Sequence, residues 1–166
     1  MFRPKPDQAL PGQESVWTFP RPAIAEPTTA LLRIEFDGRV LAETRNGVRT
    51  LETSHPPSYY FPPEDIDMAM LVAADGPRSI CEWKGQARYV DVVGPSRRAV
   101  RAGWAYSTPT ESFAVLRDHV AFYAAMMDAC FVDGERVTPQ PGGFYGGWIT
   151  ARFAGPFKGG PGSQFW

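Results

Sequence analysis

The sequence has few residues of the kinds that hold metals or form disulfides. Its 166 residues include two cysteines, Cys81 and Cys130, and two histidines, His55 and His119. The cysteines stand in no Cys-x-x-Cys pair and in no cluster with histidine, which argues against structural zinc. We therefore expect two free, mostly buried thiols, no metal ion and no other cofactor.

The sequence also lacks an excess of one charge. It carries 17 basic and 18 acidic residues and a formal net charge of −1, so no overall field attracts nucleic acid or an anionic membrane. Arg97, Arg98 and Arg101 cluster, but no pattern of stacking aromatics accompanies them. We therefore expect no nucleic-acid partner, and the sequence indicates no oligomeric state.

Long hydrophobic runs are absent too. No run approaches the roughly 20 apolar residues that span a bilayer, and the first residues lack the apolar core of a signal peptide. We expect no membrane association and a cytoplasmic location.

Prolines divide the chain into two parts. Residues 1–28 carry prolines at positions 4, 6, 11, 20, 22 and 27, which remove backbone donors and favour an extended backbone. This pattern predicts an N-terminal strap over residues 1–28, with Trp17, Phe19 and Ile24 against an apolar surface. Residues 29–166 are then expected to form a single domain.

Alternating apolar and polar residues predict β-strands over much of this domain. Leu32, Ile34 and Phe36 alternate with charged residues up to Asp37-Gly38, and Asp-Gly between two such runs predicts a hairpin. A turn at 46–47 predicts a third strand and hence a meander, and Asp-Gly at 133–134 predicts another hairpin. Further strands are expected around Tyr89 and Trp104.

The segment 79–84 is predicted to be a central strand. Cys81 and Trp83 would share one face of it, and Glu82 and Lys84 the other. Such a carboxylate and ammonium form either a reactive pair or an ordinary surface ion pair.

Two segments predict short helices. Pro62-Pro63 followed by acidic residues predicts a helix over 64–70. The run from Thr108 to Glu111 predicts a capping box and a helix that continues to about residue 123, with His119 near its end. The predicted fold class is mainly β (α+β), a single curved antiparallel sheet or open barrel with two short helices.

Three residues are candidates for chemistry. Glu82 could accept a proton, and Lys84 could hold an anionic group or attack a carbonyl. His55 lies in a loop stiffened by prolines, where it could exchange a proton near neutral pH or fix the loop through hydrogen bonds.

Aromatic residues exceed what a small core needs, and several flank glycine or proline. Such rings can line an apolar pocket with polar tips or enclose a cation; alternatively, they fill the core of a sheet. The residues expected to contact a ligand are Tyr59, Tyr60, Trp83, Tyr145 and Trp148.

Three other patterns point to chemistry only weakly. Cys81 with His55 would form a nucleophile and base pair without any local signature. The glycine-rich segment 155–162 around Lys158 lacks the Gly-Lys-Ser/Thr ending of a phosphate loop. Asp65 and Asp67 have the spacing of metal-binding carboxylates, but in a helix they would point apart.

Four motifs in order resemble one family. They are Thr-Ser-His-Pro-Pro-Ser-Tyr-Tyr at 53–60, Cys-Glu-Trp-Lys-Gly at 81–85, His-Val-Ala-Phe-Tyr at 119–123 and Val-Asp-Gly-Glu-Arg-Val at 132–137. Together they resemble the family catalogued as domain of unknown function 427, common in bacteria and also found in fungi. The resemblance covers about residues 15–166 and implies a mostly β fold whose biochemical role is not established. A nucleotidyltransferase label attached to the family lacks support here, because no Gly-Ser turn precedes an Asp-x-Asp pair.

The sequence favours a small-molecule-binding domain, plausibly an enzyme that uses glutamate, lysine and histidine in an aromatic pocket. The expected pocket joins the loop from His55 to Tyr60, the strand with Trp83, and the glycine-rich loop before Trp148. The alternative is a non-catalytic module whose aromatic groove binds a peptide or another protein.

Overall fold

The protein is built mainly from short β-strands joined by turns. The computed structural model describes residues 3–81 and 83–166. In chain order the strands are β1 (Glu14–Ser15), β2 (Ile24–Thr28), β3 (Leu32–Phe36), β4 (Arg39–Thr44), β5 (Gly47–Leu51), β6 (Ser58–Phe61), β7 (Leu71–Ala73), β8 (Ser79–Cys81), β9 (Gly85–Val93), β10 (Arg98–Ala105), β11 (Val120–Phe122), β12 (Ala129–Val132), β13 (Glu135–Arg136), β14 (Thr138–Pro139), β15 (Trp148–Ile149) and β16 (Phe153–Ala154). Short 3-10 helices cover Val16–Thr18, Pro63–Asp65, Met68–Met70, Glu111–Leu116 and Ala124–Met126. The predicted mainly β fold with few helices is confirmed.

Two antiparallel sheets contain most of the described strands. The larger sheet has eight strands in the order β2-β5-β6-β11-β10-β9-β7, and β8 also pairs with β9. The smaller sheet has the order β13-β12-β3-β4. Two further pairs, β1 with β16 and β14 with β15, lie outside these sheets. The strands thus divide between two principal sheets, and within the described residues the larger one does not close into a barrel.

The hairpins predicted from Asp-Gly pairs are present. Asp37 and Asp133 both have positive φ, as do the glycines that follow them, and the flanking strands pair as β3 with β4 and β12 with β13. The expected meander is wrong, because the turn at 46–47 sends β5 into the larger sheet. The chain passes close to Leu32 as it leaves the smaller sheet at Gly47. Only glycine fits there, since a Cβ would lie 2.5 Å from Leu32 Cδ1.

A hydrophobic core fills the space between the two sheets. Leu32, Ile34 and Phe36 of β3 are fully buried, while the residues between them are half-exposed. They pack with residues of β6, β9, β10 and β11 in one cluster. The alternation seen in the sequence therefore sets the inward face of the smaller sheet.

Both predicted helices differ from the structure. The segment 64–70 forms two separate 3-10 turns, because Ile66 is extended (φ −114°, ψ 140°), is buried and pairs with Ala42. The second helix is limited to Glu111–Leu116, and no side chain caps its start.

The chain then turns at Asp118, which has φ 58°, and enters β11 between β6 and β10. His119 is therefore not in a helix; its Nδ1 lies 2.9 Å from the Arg117 carbonyl oxygen. Pairing within the sheet outweighs the helical spacing of the apolar residues.

The predicted central strand is a hairpin at the edge of the larger sheet. β8 pairs only with β9 among the described strands, and Trp83 and Lys84 lie in the turn between them. The alternation of faces expected over 79–84 therefore stops at Cys81.

The proline-rich arm contributes to the sheets. β2 pairs along its length with β5, and β1 pairs with β16. Phe19 is buried, Trp17 is half-buried and Ile24 is exposed. No helix in the described residues is long and apolar enough to cross a membrane.

Candidate functional site

The larger sheet uses its two faces differently, because side chains alternate along each strand. On β6, Tyr59 and Phe61 pack into the core, whereas Tyr60 packs on the opposite face with Trp104 and Tyr106. This second face holds a cavity of about 350 Å³. A cavity of that size is typical of sites for small molecules.

Four residues predicted for the site line this one cavity. They are His55, Tyr60, Lys84 and Tyr145, which come from three segments far apart in sequence. The fold therefore brings together one member of each expected segment. That these residues bind a ligand stays a prediction.

The other predicted residues are placed elsewhere. Tyr59 and Trp148 are buried in the core between the sheets, because Tyr59 alternates with Tyr60 and because β15 turns Trp148 inward; neither lines the cavity. Trp83 packs against the cluster behind the cavity without lining it. Glu82, the predicted proton acceptor, lies outside the described residues.

A carboxylate that the sequence analysis missed lies in the cavity. Glu52 follows β5, and its Oε2 is 3.4 Å from His55 Nε2. Only the spacing of a glutamate three residues before a histidine could have indicated it, and that spacing is common. Glu52 is thus a carboxylate of the cavity in addition to the residues predicted for it.

Gln140 determines the tautomer of the His55 imidazole. Its amide oxygen accepts a hydrogen bond from the Gly147 N–H at 3.0 Å, and its Nε2 donates to the Lys158 carbonyl at 2.8 Å. The amide orientation is therefore set, and the same Nε2 faces His55 Nδ1 at 3.0 Å. His55 Nδ1 must accept, so Nε2 carries the proton and donates it toward Glu52.

The environment keeps Glu52 ionised. Burial favours the neutral acid and is the strongest single influence on the Glu52 pKa, but interactions with His55 and the charges of Lys84 and Arg21 together outweigh it. The pKa of Glu52 therefore lies below its ordinary value. At neutral pH the cavity contains a carboxylate with one oxygen held by His55.

Lys84 provides a positive charge in the same cavity. Its Nζ lies 5.9 Å from the centre of the Phe113 ring, within the range of a cation–π contact. Its backbone carbonyl accepts a hydrogen bond from the Thr110 N–H at 3.0 Å, which anchors the β8–β9 turn. A fixed turn thus presents a flexible ammonium to the cavity.

Neutral phenols form much of the wall. Burial raises the pKa of Tyr60 and of Tyr106, so both keep their protons. The Tyr60 hydroxyl accepts a hydrogen bond from Trp104 Nε1 at 3.0 Å. These groups can donate hydrogen bonds to a ligand, but they are not bases.

An unusual backbone conformation positions His55. Ser54 has φ 74°, its N–H donates to the Val16 carbonyl at 3.0 Å, and its carbonyl accepts from the Lys158 N–H at 2.9 Å. Its buried hydroxyl has no hydrogen-bond partner among the described residues. The arm and the C-terminal segment together hold this strained residue.

The thiols differ in access. Cys81 is half-buried and lines the cavity, whereas Cys130 is buried in the core. Burial raises the pKa of the Cys130 thiol to about 12. The weakly indicated pairing of Cys81 with His55 is not favoured, because Gln140 and Glu52 already lie next to the two ring nitrogens of His55.

The weaker candidates do not converge on the cavity. Asp65 accepts a hydrogen bond from the Thr44 hydroxyl at 2.6 Å, and Lys158 Nζ donates to the Trp166 carbonyl at 3.2 Å. Within residues 3–81 and 83–166, no three His, Cys, Asp or Glu side chains are grouped as metal ligands.

Comparison with known proteins adds one finding. No curated protein matches the chain. A family described as a domain of unknown function (DUF427) matches residues 24–133, which is well over half of the 166 residues and includes Glu52, His55, Tyr60 and Lys84. The chain therefore belongs to the DUF427 family.

Proposed function

We propose that this protein binds a small organic molecule in the cavity and transfers a proton to or from it. The observation that carries the proposal is the series of contacts from Gln140 to His55 and from His55 to Glu52, which ends at a carboxylate in an aromatic cavity. A surface ion pair needs no such series. A carboxylate that a neighbouring side chain holds in place inside a cavity can act as a general base.

Glu52 is the proton acceptor in this proposal. One carboxylate oxygen is held by His55 and the other is available to a ligand. His55 is a positioning residue, because its Nδ1 faces Gln140 and its Nε2 faces Glu52. Because its pKa is lowered, Glu52 is a weak base. The proton that it accepts must therefore be acidic, such as one on a carbon next to a carbonyl.

Lys84 binds the activating group. An ammonium near the cavity stabilises negative charge that develops on a carbonyl or carboxylate oxygen when the proton leaves. Tyr60, Tyr106 and Trp104 surround the body of the ligand. The substrate class that follows is a small carbonyl or carboxylate compound with an acidic C–H bond.

The first test is a thermal-shift screen against a metabolite library. A ligand at about 100 times its dissociation constant stabilises a protein by about 2.7 kcal/mol. Each compound that raises the melting temperature is then incubated with the protein in D2O, and deuterium uptake is measured by mass spectrometry. We expect a carbonyl or carboxylate compound that both stabilises the protein and exchanges a C–H proton.

Variants separate catalysis from binding. Glu52→Gln should retain the thermal shift and lose deuterium uptake, whereas Lys84→Met should lose both. Glu64→Gln, at an exposed position outside the cavity, is the matched control and should behave as wild type. Binding without any exchange in wild type would contradict the enzyme proposal and favour a recognition module, and a screen without hits would contradict the small-molecule site.

A further inference from the structure

A second cavity lies beside the first on the same side of the larger sheet. Its volume is about 430 Å³. The 3-10 helix Ala124–Met126, Pro139 and the loop from Gly143 to Gly147 form its walls together with Tyr89 and Arg101. None of the residues assigned above to proton transfer or anion binding, Glu52, His55 and Lys84, lines it.

Tyr123 and Phe144 contribute to the boundary between the two cavities and line both. The Tyr123 hydroxyl donates to the Phe144 carbonyl at 3.4 Å, and the Tyr123 ring lies 4.7 Å from that of Trp104. Tyr123, which directly follows β11, is thus linked to the glycine-rich loop. The two cavities thus adjoin, and six residues line both: Tyr89, Tyr123, Gln140, Phe144, Tyr145 and Gly146. The second differs from the first in that its charged group is Arg101.

Arg101 is the one charged side chain among the described residues that line this cavity. Its guanidinium lies over the Tyr89 ring, with Cζ 4.1 Å from the ring centre. Nη1 donates to the Asp75 carbonyl at 2.9 Å, and Nη2 donates to the Pro77 carbonyl at 2.8 Å. Two of the five guanidinium N–H groups are used in this way, which leaves three for a ligand.

The backbone of Arg101 is held as firmly as its side chain. The residue has φ 52°, and its N–H donates to Asp91 Oδ1 at 2.7 Å. The Asp91 carboxylate is also bound by Arg98, at 2.6 Å and 2.9 Å through Oδ2. Arg98 thus compensates the charge of Asp91, and the Arg101 guanidinium is held in place for an anion before any ligand arrives.

One side of the cavity is apolar. Ala124, Ala125, Met126 and Pro139 present methyl, thioether and ring surfaces without charge. The Tyr89 ring also lines the cavity, and the Arg101 guanidinium covers one of its faces. A ligand complementary to this cavity is therefore planar and apolar over most of its surface and carries one negative charge at its edge.

We propose that the second cavity is a binding site for a planar aromatic carboxylate, with the carboxylate on Arg101 and the ring system between the Ala124–Met126 turn and the glycine-rich loop. Arginine recognises carboxylates through parallel N–H groups, which a lysine cannot match. This site is independent of the reaction proposed for the first cavity.

The test uses 1-naphthoate as probe and 1-naphthamide as its uncharged counterpart of the same shape, with binding measured by titration calorimetry at neutral pH. We expect 1-naphthoate to bind at least tenfold more tightly than 1-naphthamide. Ala125→Trp fills the cavity from an exposed turn and should weaken 1-naphthoate at least tenfold. Ala9→Trp, at an exposed position in the arm, is the matched control and should not change binding.

Further variants assign the site. Arg101→Met should weaken 1-naphthoate toward the level of 1-naphthamide; because it also removes two hydrogen bonds to the 75–77 turn, its fold is checked by circular dichroism. Lys84→Met distinguishes the two cavities, because 1-naphthoate held by Lys84 in the first cavity would lose affinity in this variant, whereas 1-naphthoate held by Arg101 should not. Equal binding of the two probes, undiminished binding by Ala125→Trp, or loss of binding in Lys84→Met would each overturn the proposal.

Discussion

At the scale of the residue, the chemistry of the first cavity depends on which hydrogen bonds Gln140 makes. Its three contacts fix the amide, the amide fixes the His55 tautomer, and the imidazole orients Glu52. Glu52 itself is half-exposed, so a ligand can reach it. A glutamine far from the other two residues in sequence is therefore part of the proposed site.

The Glu52 carboxylate should make stability depend on pH. Its folded pKa is lowered, so its ionised form stabilises the fold above the ordinary value of 4.5, and this contribution is lost as the pH falls through the folded pKa. Glu52→Gln should lower the free energy of unfolding by about 1 kcal/mol at pH 7 and by much less near pH 3. Urea unfolding at both values measures the difference.

The control for this prediction is Glu64→Gln at an exposed position. Its free energy of unfolding should follow that of wild type at both pH values. A Glu52→Gln protein whose deficit is the same at pH 3 and pH 7 would show that the loss comes from packing and not from the ionised carboxylate.

The two thiols should differ in reactivity. Cys130 is buried, and burial raises its pKa to about 12, whereas Cys81 is half-buried at the cavity. Because the thiolate is the reactive form, N-ethylmaleimide should add once to the native protein, and the adduct should map to Cys81 by mass spectrometry. Cys81→Ser should abolish native labelling, and two adducts on the folded wild type would contradict the burial of Cys130.

Single residues were the hardest part of the structure to predict. His55, Tyr60, Lys84 and Tyr145 could be selected because prolines, glycines and aromatic neighbours are visible locally. Gln140 could not, because its partner His55 is 85 residues away and no local pattern indicates a contact across that distance.

At the scale of the element, the glycine-rich loop from Pro141 to Gly147 matters most, since it lines both cavities. Its start lies against the segment around Gly159, and a side chain on Gly159 would overlap the Pro141 carbonyl. Gly159 also has φ 130°, a conformation that suits glycine. This close approach of two backbones positions the loop.

Gly159→Ala should therefore displace the loop while the sheets stay folded. We expect binding of 1-naphthoate, measured by calorimetry, to weaken at least tenfold, with the far-ultraviolet circular dichroism unchanged. Gly160→Ala is the matched control, because a Cβ at position 160 meets no atom within 4 Å. Equal binding by the two variants would mean that the loop does not depend on this contact.

Strands, turns and helices could be predicted where a few neighbouring residues determine them. The Asp-Gly hairpins were correct because a positive φ at both turn residues is a local requirement. The second helix was wrong beyond Leu116, because the residues around Val120 also fit a strand and the open position between β6 and β10 decides between the two. The helical spacing of the apolar residues in the sequence gives no information about this position in the sheet.

At the scale of the whole molecule, Trp148 joins parts of the chain that sequence order separates. It lies in β15, outside both principal sheets, yet it is fully buried in the core between them. Its Nε1 donates to the Phe122 carbonyl at 3.1 Å, and its ring lies 5.4 Å from that of Tyr59. The C-terminal segment is thereby part of the same core as the sheets.

Trp148→Ala should destabilise the entire domain. The loss of a buried aromatic side chain costs about 3–5 kcal/mol, and denaturation monitored by circular dichroism and by fluorescence should still show one coincident transition at lower denaturant. Phe165→Ala, which removes an exposed ring, should change the free energy of unfolding by less than about 0.5 kcal/mol. Two separate transitions in Trp148→Ala would mean that the sheets fold independently of the C-terminal segment.

The match to the DUF427 family ends at residue 133, while Gln140, Phe144 and Tyr145 of the cavity walls lie beyond it. The family match thus includes Glu52, His55, Lys84 and Arg101, whereas the glycine-rich loop that lines both cavities lies beyond it. Exchanging Phe144 and Tyr145 would reshape both cavities and would keep Gly147, whose N–H binds Gln140. Such exchanges offer a direct way to redesign ligand selectivity on an unchanged scaffold.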